Sequence, residues 1–291
     1  MKPPPFDYFA PQTLEEVLQL LEQYGDDAKV LAGGQSLIPT MNFRLAQPAV
    51  LIDLNGIREL ADIQESDEEI TVGAMTRQRM LEKSVIIREK TPLIFETIPH
   101  IAHVQIRNRG TVGGNLAHAD PASELPAVMV TLNATFKLQS LKSERWVSAS
   151  DFFQGMYMTA LQPEEILTEV RIPVQAVTGL YGFEEVARRH GDYALAGVSV
   201  LVHLDENQNC EDVRITYFSV GEAPVPAHNA VQFLTGQPLE DEIISEAAEL
   251  AANNDIDPHD DIHASAKYRR HLAKILTIRA LQKAKNRNKP N

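Results

Sequence analysis

The sequence of 291 residues is poor in cysteine, and Cys210 is the only one. A single thiol cannot form an internal disulfide, ligate an iron–sulfur cluster by itself or make a CxxC redox pair. If the protein transfers electrons, its own thiols therefore do not carry them. The first residues, MKPPPFDYFAPQ, lack the apolar core of a secretory signal, and no stretch approaches the roughly 20 apolar residues of a membrane helix. We expect a reducing, cytoplasmic location.

Positive charge is also scarce, because 27 Lys and Arg residues face 40 Asp and Glu residues and the formal net charge is −13. This balance argues against nucleic acid or anionic lipid as the main partner. The apolar fraction of 44% and the charged fraction of 23% are ordinary for a globular protein. The length allows two or three domains with proper cores, and we find neither an internal repeat nor a long linker.

The first unit, residues 1–56, has the pattern of a small α/β fold. Thr13 followed by Glu16 forms a capping box, and the apolar spacing after it predicts a helix over 14–24. AKVLAGG and AVLIDL each predict a short buried strand, and SLIPTMNFRL between them predicts a helical turn. Strands and helices joined this tightly indicate an α/β unit.

The second unit, residues 57–177, mixes strand and helix patterns in the same way. EITVGAM and EILTEVRIP predict strands, TFKLQ and RWVSA predict a hairpin, and SELPAVMVTLNA predicts the start of a helix. Further helical patterns occupy roughly 76–83 and 92–102, and Ser148 with Asp151 is a second capping signature. We therefore predict a second α/β subdomain.

The remainder, residues 178–291, changes character. Three β-rich runs near 179–188, 195–204 and 212–220 predict an antiparallel three-stranded sheet. Two helical segments follow, at about 240–253 and 264–285. The predicted fold class is therefore α+β, with two α/β subdomains followed by a C-terminal domain of sheet plus helices.

Two segments with paired glycines, AGGQS (32–36) and TVGGN (111–115), are the main functional signal. Neither has the lysine of a P-loop nor the GxGxxG spacing of a dinucleotide fingerprint. Adjacent glycines permit positive φ and let backbone N–H groups converge on an anion, and Ser36, Thr111 and Asn115 add side-chain donors. A glycine pair after a strand is commonly only a turn. The residues alone therefore leave a turn and a diphosphate site both open.

Four segments, AGGQS, IRNRGTVGGNLAHADPASELPA, EEILTEVRIP and RRHGDYALAGVSV, resemble in the same order the flavin-binding medium subunits of molybdenum hydroxylases. This family includes the carbon monoxide dehydrogenase medium subunit and the flavin domain of xanthine dehydrogenase. The resemblance covers essentially the whole chain and implies two α/β subdomains that hold FAD between them. It also implies a small partner subunit with [2Fe–2S] clusters, a large molybdopterin subunit, and an electron acceptor such as NAD or oxygen. FAD performs the chemistry, so no catalytic side chain and no metal site are expected in this chain.

The resemblance also assigns cofactor-binding residues. One side of the diphosphate is expected to contact Ala32, Gly33, Gly34, Gln35, Ser36 and Leu37. The other side is expected to contact Thr111, Val112, Gly113, Gly114 and Asn115. Ile101 and Ala102 are expected to pack against the cofactor, and Asp120 and Glu124 are expected to lie towards its adenosine end. Leu167 is expected to contact the flavin or its chain, and Tyr193 is expected to lie close to the isoalloxazine ring. Many relatives have histidine at Gln35, and some have a lysine where Glu184 and Glu185 occur.

Several other residues allow two interpretations. His118 and Asp120 fit a metal or acid–base pair, but local hydrogen bonds that shape the loop are the commoner role. His100 and His103 fit a helix cap better than a metal site, which needs a further ligand. Arg107 and Arg109 fit either phosphate neutralisation or a surface role, and the basic helix KYRRHLAKILTIRALQKA fits either a solvated face or a docking face.

Two other functions are compatible with the same sequence. One is a stand-alone flavoprotein oxidoreductase of the same superfamily, and the other is an assembly module that has lost the flavin. The intact glycine pairs argue against the flavin-free module. The short C-terminal part does not obviously provide the substrate-binding domain of a stand-alone enzyme.

Overall fold

The structure is a computed structural model that describes residues 2–174 and 178–288. The predicted boundary at 177 between the second unit and the C-terminal domain lies outside the described residues. Within them, no helix combines the length and the apolar character that crossing a membrane requires.

The first unit is a parallel three-stranded sheet in the order β1-β3-β2 with two helices. Its elements are β1 (Asp7–Phe9), α1 (Leu14–Tyr24), β2 (Ala28–Leu31), α2 (Leu37–Asn42) and β3 (Val50–Asp53). The predicted cap is present, because the Thr13 side chain accepts a hydrogen bond from Glu16 N at 3.2 Å. The carboxyl ends of parallel strands meet at one edge of a sheet, so the residues after β2 and β3 lie side by side.

The second unit contains a five-stranded antiparallel sheet in the order β4-β5-β10-β6-β7 and a small ribbon of β8 and β9. Its strands are β4 (Ile63–Glu65), β5 (Glu69–Gly73), β6 (Thr135–Gln139), β7 (Glu144–Ser148), β8 (Phe153–Gly155), β9 (Met158–Thr159) and β10 (Ile166–Pro173). Its helices are α3 (Gln78–Lys83), α4 (Val85–Lys90), α5 (Pro92–Thr97), α6 (Val104–Arg107), α7 (Val112–His118), α8 (Glu124–Thr131) and α9 (Ala149–Phe152). The predicted hairpin is β6–β7.

The C-terminal part contains an antiparallel sheet in the order β11-β12-β13-β14. Its elements are β11 (Leu180–Ala187), β12 (Ala194–Leu204), β13 (Cys210–Phe218), β14 (Val225–Pro226), α10 (His228–Leu234), α11 (Asp241–Leu250) and α12 (Ala266–Arg287). The three long strands agree with the prediction. The two-residue strand β14 was not predicted, so the described sheet has four strands rather than three. The helix α10 was not predicted either.

The basic helix α12 packs against β11 and β12. Six of its cations form ion pairs within the chain, joining Arg269 to Asp261, Arg270 to Asp257, Lys274 to Glu249, Lys283 to Glu184, Lys285 to Asp241 and Arg287 to Glu96. Much of the positive charge of α12 is therefore paired within the chain, while the Lys283 side chain is still 52% exposed to solvent.

The second unit and the C-terminal sheet share a hydrophobic core. Phe183, Ala194, Leu201 and Phe218 of the sheet belong to the same buried cluster as Leu116, Leu125 and Phe136 of the second unit. The rings of Phe183 and Phe218 stack with their centroids 5.7 Å apart. Burial of this size is the main source of stability, so the sheet supports the second unit directly.

Candidate cofactor site

The two glycine segments are in direct contact. A Cβ atom on Gly33 would lie 2.5 Å from the carbonyl oxygen of Arg109 and 2.8 Å from Cα of Gly110. A Cβ atom on Gly114 would lie 3.3 Å from Cβ of Ala32. Glycine is therefore required at Gly33 because the backbones of the two subdomains approach each other more closely than a side chain allows.

The first segment presents free backbone donors. It follows β2 and leads into α2, and Gly34 adopts the left-handed region with φ 73°. The N–H groups of residues 33–36 have no acceptor within the described part of the chain. The Gln35 side chain donates from Nε2 to the carbonyl oxygen of Gly33 at 2.9 Å, which fixes the turn. Successive unpaired N–H groups in such a turn bind anions.

The second segment has a different role. Thr111 is the N-cap of α7, and its Oγ1 accepts a hydrogen bond from Gly114 N at 3.0 Å. The N–H groups of Val112 and Gly113 donate to backbone oxygens of the second unit at 2.9 Å and 2.7 Å. The expectation that both segments offer unpaired amides is therefore corrected, because docking of the first turn of α7 satisfies those of the second segment.

A cavity of about 590 Å³ opens between the two subdomains. Every residue assigned to the cofactor in the sequence lines this cavity except Val112, which is buried in the core. The volume is within the roughly 300–1,000 Å³ of small-molecule and cofactor sites. Lining residues that were not predicted include Lys29, Thr40, Gln78, Ser123, Leu161 and Glu165. Of these, Ser123 lies inside the quoted motif and could have been found from it.

A chain of hydrogen bonds braces the contact between the segments. Asn55, which follows β3, donates from Nδ2 to the carbonyl oxygen of Ala32 at 3.0 Å. Arg77 donates from Nη2 to Asn55 Oδ1 at 2.5 Å and from Nη1 to the carbonyl oxygen of Arg109. The brace thus links Ala32 of the first segment to Arg109, which lies just before the second segment. Sequence reasoning missed both side chains because they lie outside the glycine motifs.

Asn115 is oriented by Ser123. The Ser123 hydroxyl donates to Asn115 Oδ1 at 2.9 Å, and Ser123 is itself buried. With its oxygen engaged, the Asn115 side chain has its amide NH₂ available to a ligand in the cavity. This is the donor that the second segment contributes to the site.

Carboxyl and phenol groups cluster near Tyr193, which is 66% exposed. Although this side chain is largely exposed, partial desolvation raises the pKa of Tyr193, and the charges of Asp120 and Glu124 raise it further. Burial also raises the pKa of Tyr157 to about 12, with Asp120 as the next cause. Asp120 and Glu124 are therefore neighbours of Tyr193. The expected places of Asp120 and Glu124 towards the adenosine end and of Tyr193 beside the isoalloxazine ring both stay predictions.

Glu124 is the most perturbed carboxyl of the cavity wall. Its exposure is 7%, and burial raises its pKa to about 8, with the charge of Glu185 as the next cause. At neutral pH this carboxyl is protonated and uncharged. The wall of the cavity therefore holds a proton that an ordinary glutamate would have lost.

Arg107 has a structural role rather than a phosphate-binding one. It is buried, and it donates from Nη1 to the carbonyl oxygens of Ile101 at 2.8 Å and Ala102 at 3.1 Å. Its Nε donates to Glu82 at 3.1 Å. These bonds fix the 101–102 segment, where Ala102 has φ 45°, against the cavity.

Among the described residues, the histidines are placed in other roles than metal binding. His118 lies against Tyr157 with ring centroids 5.0 Å apart, and burial lowers its pKa. His100 approaches Glu185 instead of His103. Across residues 2–174 and 178–288, no group of three or more His, Cys, Asp and Glu side chains is placed to hold a metal ion.

Comparison with known proteins identifies the family. Residues 4–175 match the model for the FAD binding domain in molybdopterin dehydrogenase, and residues 181–284 match the CO dehydrogenase flavoprotein C-terminal domain. The chain belongs to the FAD-binding subunits of molybdenum hydroxylases. The FAD subunit is thus a component of an oxidoreductase, and the predicted family, FAD cofactor and α+β fold are confirmed.

Two relatives of this FAD subunit match along nearly their whole length. The chain is 41% identical over 290 residues to 6-hydroxypseudooxynicotine dehydrogenase complex subunit alpha of Paenarthrobacter nicotinovorans, covering 100% of the chain and 98% of the relative. It is 40% identical over 288 residues to caffeine dehydrogenase subunit beta of Pseudomonas sp. strain CBB1, covering 99% and 97%. The solved carbon monoxide dehydrogenase of Hydrogenophaga pseudoflava contains a similar chain, with TM-score 0.95, 38% identity and 99% coverage of each chain.

Proposed function

We propose that the chain holds FAD in the cavity between its two glycine segments and passes electrons from an iron–sulfur partner subunit through FAD to an external acceptor. The observation that carries this proposal is that residues 33–36, whose N–H groups are unpaired, line a cavity in the FAD-binding domain. In this proposal the residues that line the cavity are the cofactor contacts, and the protein works in the cytoplasm.

The donor set suits a diphosphate. Backbone amides of the first segment and the side-chain amide of Asn115 provide neutral donors around two negative charges. Gly33 and Gly114 lack the side chains that would fill the space between the segments. The cavity therefore fits the diphosphate linkage of FAD without a lysine of the P-loop type.

Bound FAD supplies the redox chemistry, since it accepts and returns two electrons. The residues of this chain bind it and orient it, and Tyr193, which lines the cavity, is the aromatic side chain that we place beside the isoalloxazine ring. No nucleophilic side chain is needed for this task. The single buried cysteine, Cys210, is compatible with iron–sulfur clusters in another chain.

The partners in this proposal are a small subunit with two [2Fe–2S] clusters and a large molybdopterin subunit. Two relatives are described as subunits of dehydrogenases, one named for caffeine and one for 6-hydroxypseudooxynicotine. Similar FAD subunits thus belong to enzymes named for different substrates, as expected if substrate oxidation takes place on the large subunit. This favours the subunit role over a stand-alone flavoprotein. NAD or oxygen is the acceptor class that we propose.

Titration of the cofactor-free chain with FAD tests the proposal, with flavin fluorescence and absorbance as the signal. We expect saturable binding of one FAD per chain. A folded chain that takes up no FAD would contradict the proposal. Iron and molybdenum in the complex purified from the native source would support the partners, whereas a FAD-loaded chain that purifies without them would favour the stand-alone enzyme.

A further inference from the structure

Gln78 lines the cofactor cavity but belongs to neither glycine segment. We propose that Gln78 is a cofactor-binding residue whose Oε1 accepts a hydrogen bond from a hydroxyl of the ribityl chain of FAD. This inference rests on the proposed function, because it names a group through which the same cavity distinguishes a flavin dinucleotide from nucleotides that lack the ribityl chain.

The position of Gln78 is fixed by the backbone next to the second glycine segment. Gln78 is the first residue of α3, and its N–H donates to the carbonyl oxygen of Gly110 at 2.9 Å. A Cβ atom on Gly110 would lie 2.7 Å from Gln78 Oε1. The carboxamide therefore rests against a residue that has no side chain and that itself lines the cavity.

The Oε1 atom of Gln78 is buried and unpaired. The residue is 3% exposed, and within residues 2–174 and 178–288 no group donates a hydrogen bond to this oxygen. A buried acceptor without a donor costs free energy, and such groups are rare in folded proteins. Because Gln78 lines the cavity, a ligand held there can supply the missing donor.

Gly110 connects Gln78 with two parts of the cavity wall. On one side Gly110 meets the first glycine segment, because a Cβ atom on Gly33 would collide with its Cα. On the other side Gly110 N donates to the carbonyl oxygen of Ile106 at 2.7 Å. Ile106 belongs to α6 and also lines the cavity. Gln78 thus lies between the contact of the glycine segments and α6.

The wall continues from α6 towards Tyr193. Ala102, just before α6, lines the cavity, and a Cβ atom on Gly191 would lie 2.8 Å from the Ala102 carbonyl oxygen. Gly191 is two residues before Tyr193, and both of them line the cavity. Gln78 is therefore placed between the proposed diphosphate site and the aromatic side chain that we place beside the isoalloxazine ring.

This position determines which part of FAD can satisfy Oε1. The oxygens of the diphosphate only accept hydrogen bonds at neutral pH, so they cannot pair with another acceptor. The ribityl chain joins the diphosphate to the isoalloxazine ring and carries hydroxyl groups, each of which can donate. ADP contains the diphosphate and the adenosine of FAD but lacks this chain, so its binding should not depend on Oε1.

The test compares FAD and ADP as ligands of the cofactor-free full chain. Gln78→Met keeps the length of the side chain and removes the acceptor. We expect it to raise the dissociation constant of FAD about 3- to 30-fold in fluorescence titration. The dissociation constant of ADP, measured by calorimetry, should not change. The matched control is Gln105→Met, because Gln105 is exposed on α6 and does not line the cavity; it should affect neither ligand.

A second measurement needs no ligand. In the cofactor-free chain, Gln78→Met removes an unpaired buried oxygen and keeps the backbone hydrogen bond to Gly110, so the urea midpoint of unfolding should rise. A side chain that only supports the fold would give the opposite shift, and a lower midpoint would overturn the assignment. If Gln78→Met does not fold, Gln78→Ala allows the same comparison of FAD with ADP.

The outcomes separate this inference from the proposed function. Unchanged FAD affinity in Gln78→Met, or equal losses for FAD and ADP, would overturn the assignment of Gln78 while FAD binding to the unsubstituted chain still supported the proposed function. Failure of the unsubstituted chain to bind FAD would instead remove both.

Discussion

Gly33 lies so close to Arg109 that a Cβ on the glycine would be 2.5 Å from the arginine carbonyl oxygen. This contact joins the first unit to the second at the level of the backbone. It sets the width of the cavity where the unpaired amides of residues 33–36 lie. The geometry of the proposed FAD site therefore depends on the absence of one methyl group.

Gly33→Val should separate the two segments and weaken FAD binding. If the forced backbone displacement costs roughly 1–3 kcal/mol of binding free energy, the dissociation constant of FAD increases about 5- to 150-fold. Fluorescence titration measures this change. The control is Gly155→Ala, because a Cβ there would have its nearest contact at 3.9 Å, from Met158 Sδ. A folded Gly33→Val chain that binds FAD normally would disprove the role of this contact.

Arg77→Gln should also weaken FAD binding, by about 3- to 30-fold, because it removes the hydrogen bonds to Asn55 and to the Arg109 carbonyl. The affinity change should appear without loss of secondary structure in circular dichroism. Arg79→Gln is the matched control, since Arg79 pairs with Glu82 and does not reach the glycine segments. Equal FAD affinity in both variants would show that the brace is dispensable.

Ser123→Ala should release the side-chain amide of Asn115 and lower FAD affinity by about 2- to 10-fold. The loss should be mainly in affinity, since the substitution removes one hydrogen bond and little volume. Ser143→Ala, in the exposed turn between β6 and β7, serves as the control. If Asn115→Ala binds FAD as well as the unsubstituted chain, the amide is not a ligand.

Glu124→Gln should change the pH dependence of stability. The folded pKa is about 8 against an ordinary 4.5, so the native state binds more protons than the unfolded state between these values. The free energy of unfolding should therefore fall as pH rises through this range, by up to about 5 kcal/mol relative to the variant. Urea unfolding of the cofactor-free chain at several pH values measures this. Glu246→Gln, at an exposed position on α11, should leave the fall unchanged; a Glu124→Gln chain with the same fall would refute the assignment.

Gly182→Ala should reduce stability without touching the cofactor site. A Cβ at Gly182 would collide with the backbone carbonyl of Ala280, so α12 would have to move away from β11. The expected cost is about 1–3 kcal/mol of unfolding free energy, measured by urea or heat. FAD affinity at temperatures where the chain is folded should be unchanged, and a large loss of affinity would link α12 to the cavity.

Local patterns in the sequence carried most of the fold. The cap at Thr13, the 3.6-residue spacing after it and the alternation in TFKLQ each depend on near neighbours, so the corresponding helix and strand are where the patterns predict them. The helix α10 had no such signal and was missed. Its position depends on tertiary packing against β13 and α11, which a short apolar pattern within residues 228–234 does not report.

Most of the lining of the cavity was predictable from the sequence, but its geometry was not. The glycine motifs identified the cavity walls, whereas the roles of their amides depend on which backbone oxygens lie nearby. Val112 and Gly113 donate to oxygens of Thr76 and Ala74, and no motif in TVGGN indicates this. The Asn55–Arg77 brace likewise joins residues from different units. Long-range packing decided these features.

The stacked rings of Phe183 and Phe218 have a consequence for how such a protein can be divided. Both rings belong to the C-terminal sheet and are buried in the hydrophobic core of the second unit. The second unit therefore packs on residues that the C-terminal sheet contributes. Without the C-terminal sheet, the FAD-binding domain would expose this hydrophobic surface and tend to aggregate. The two parts of the chain thus share one hydrophobic core, and the proposed FAD site depends on both of them.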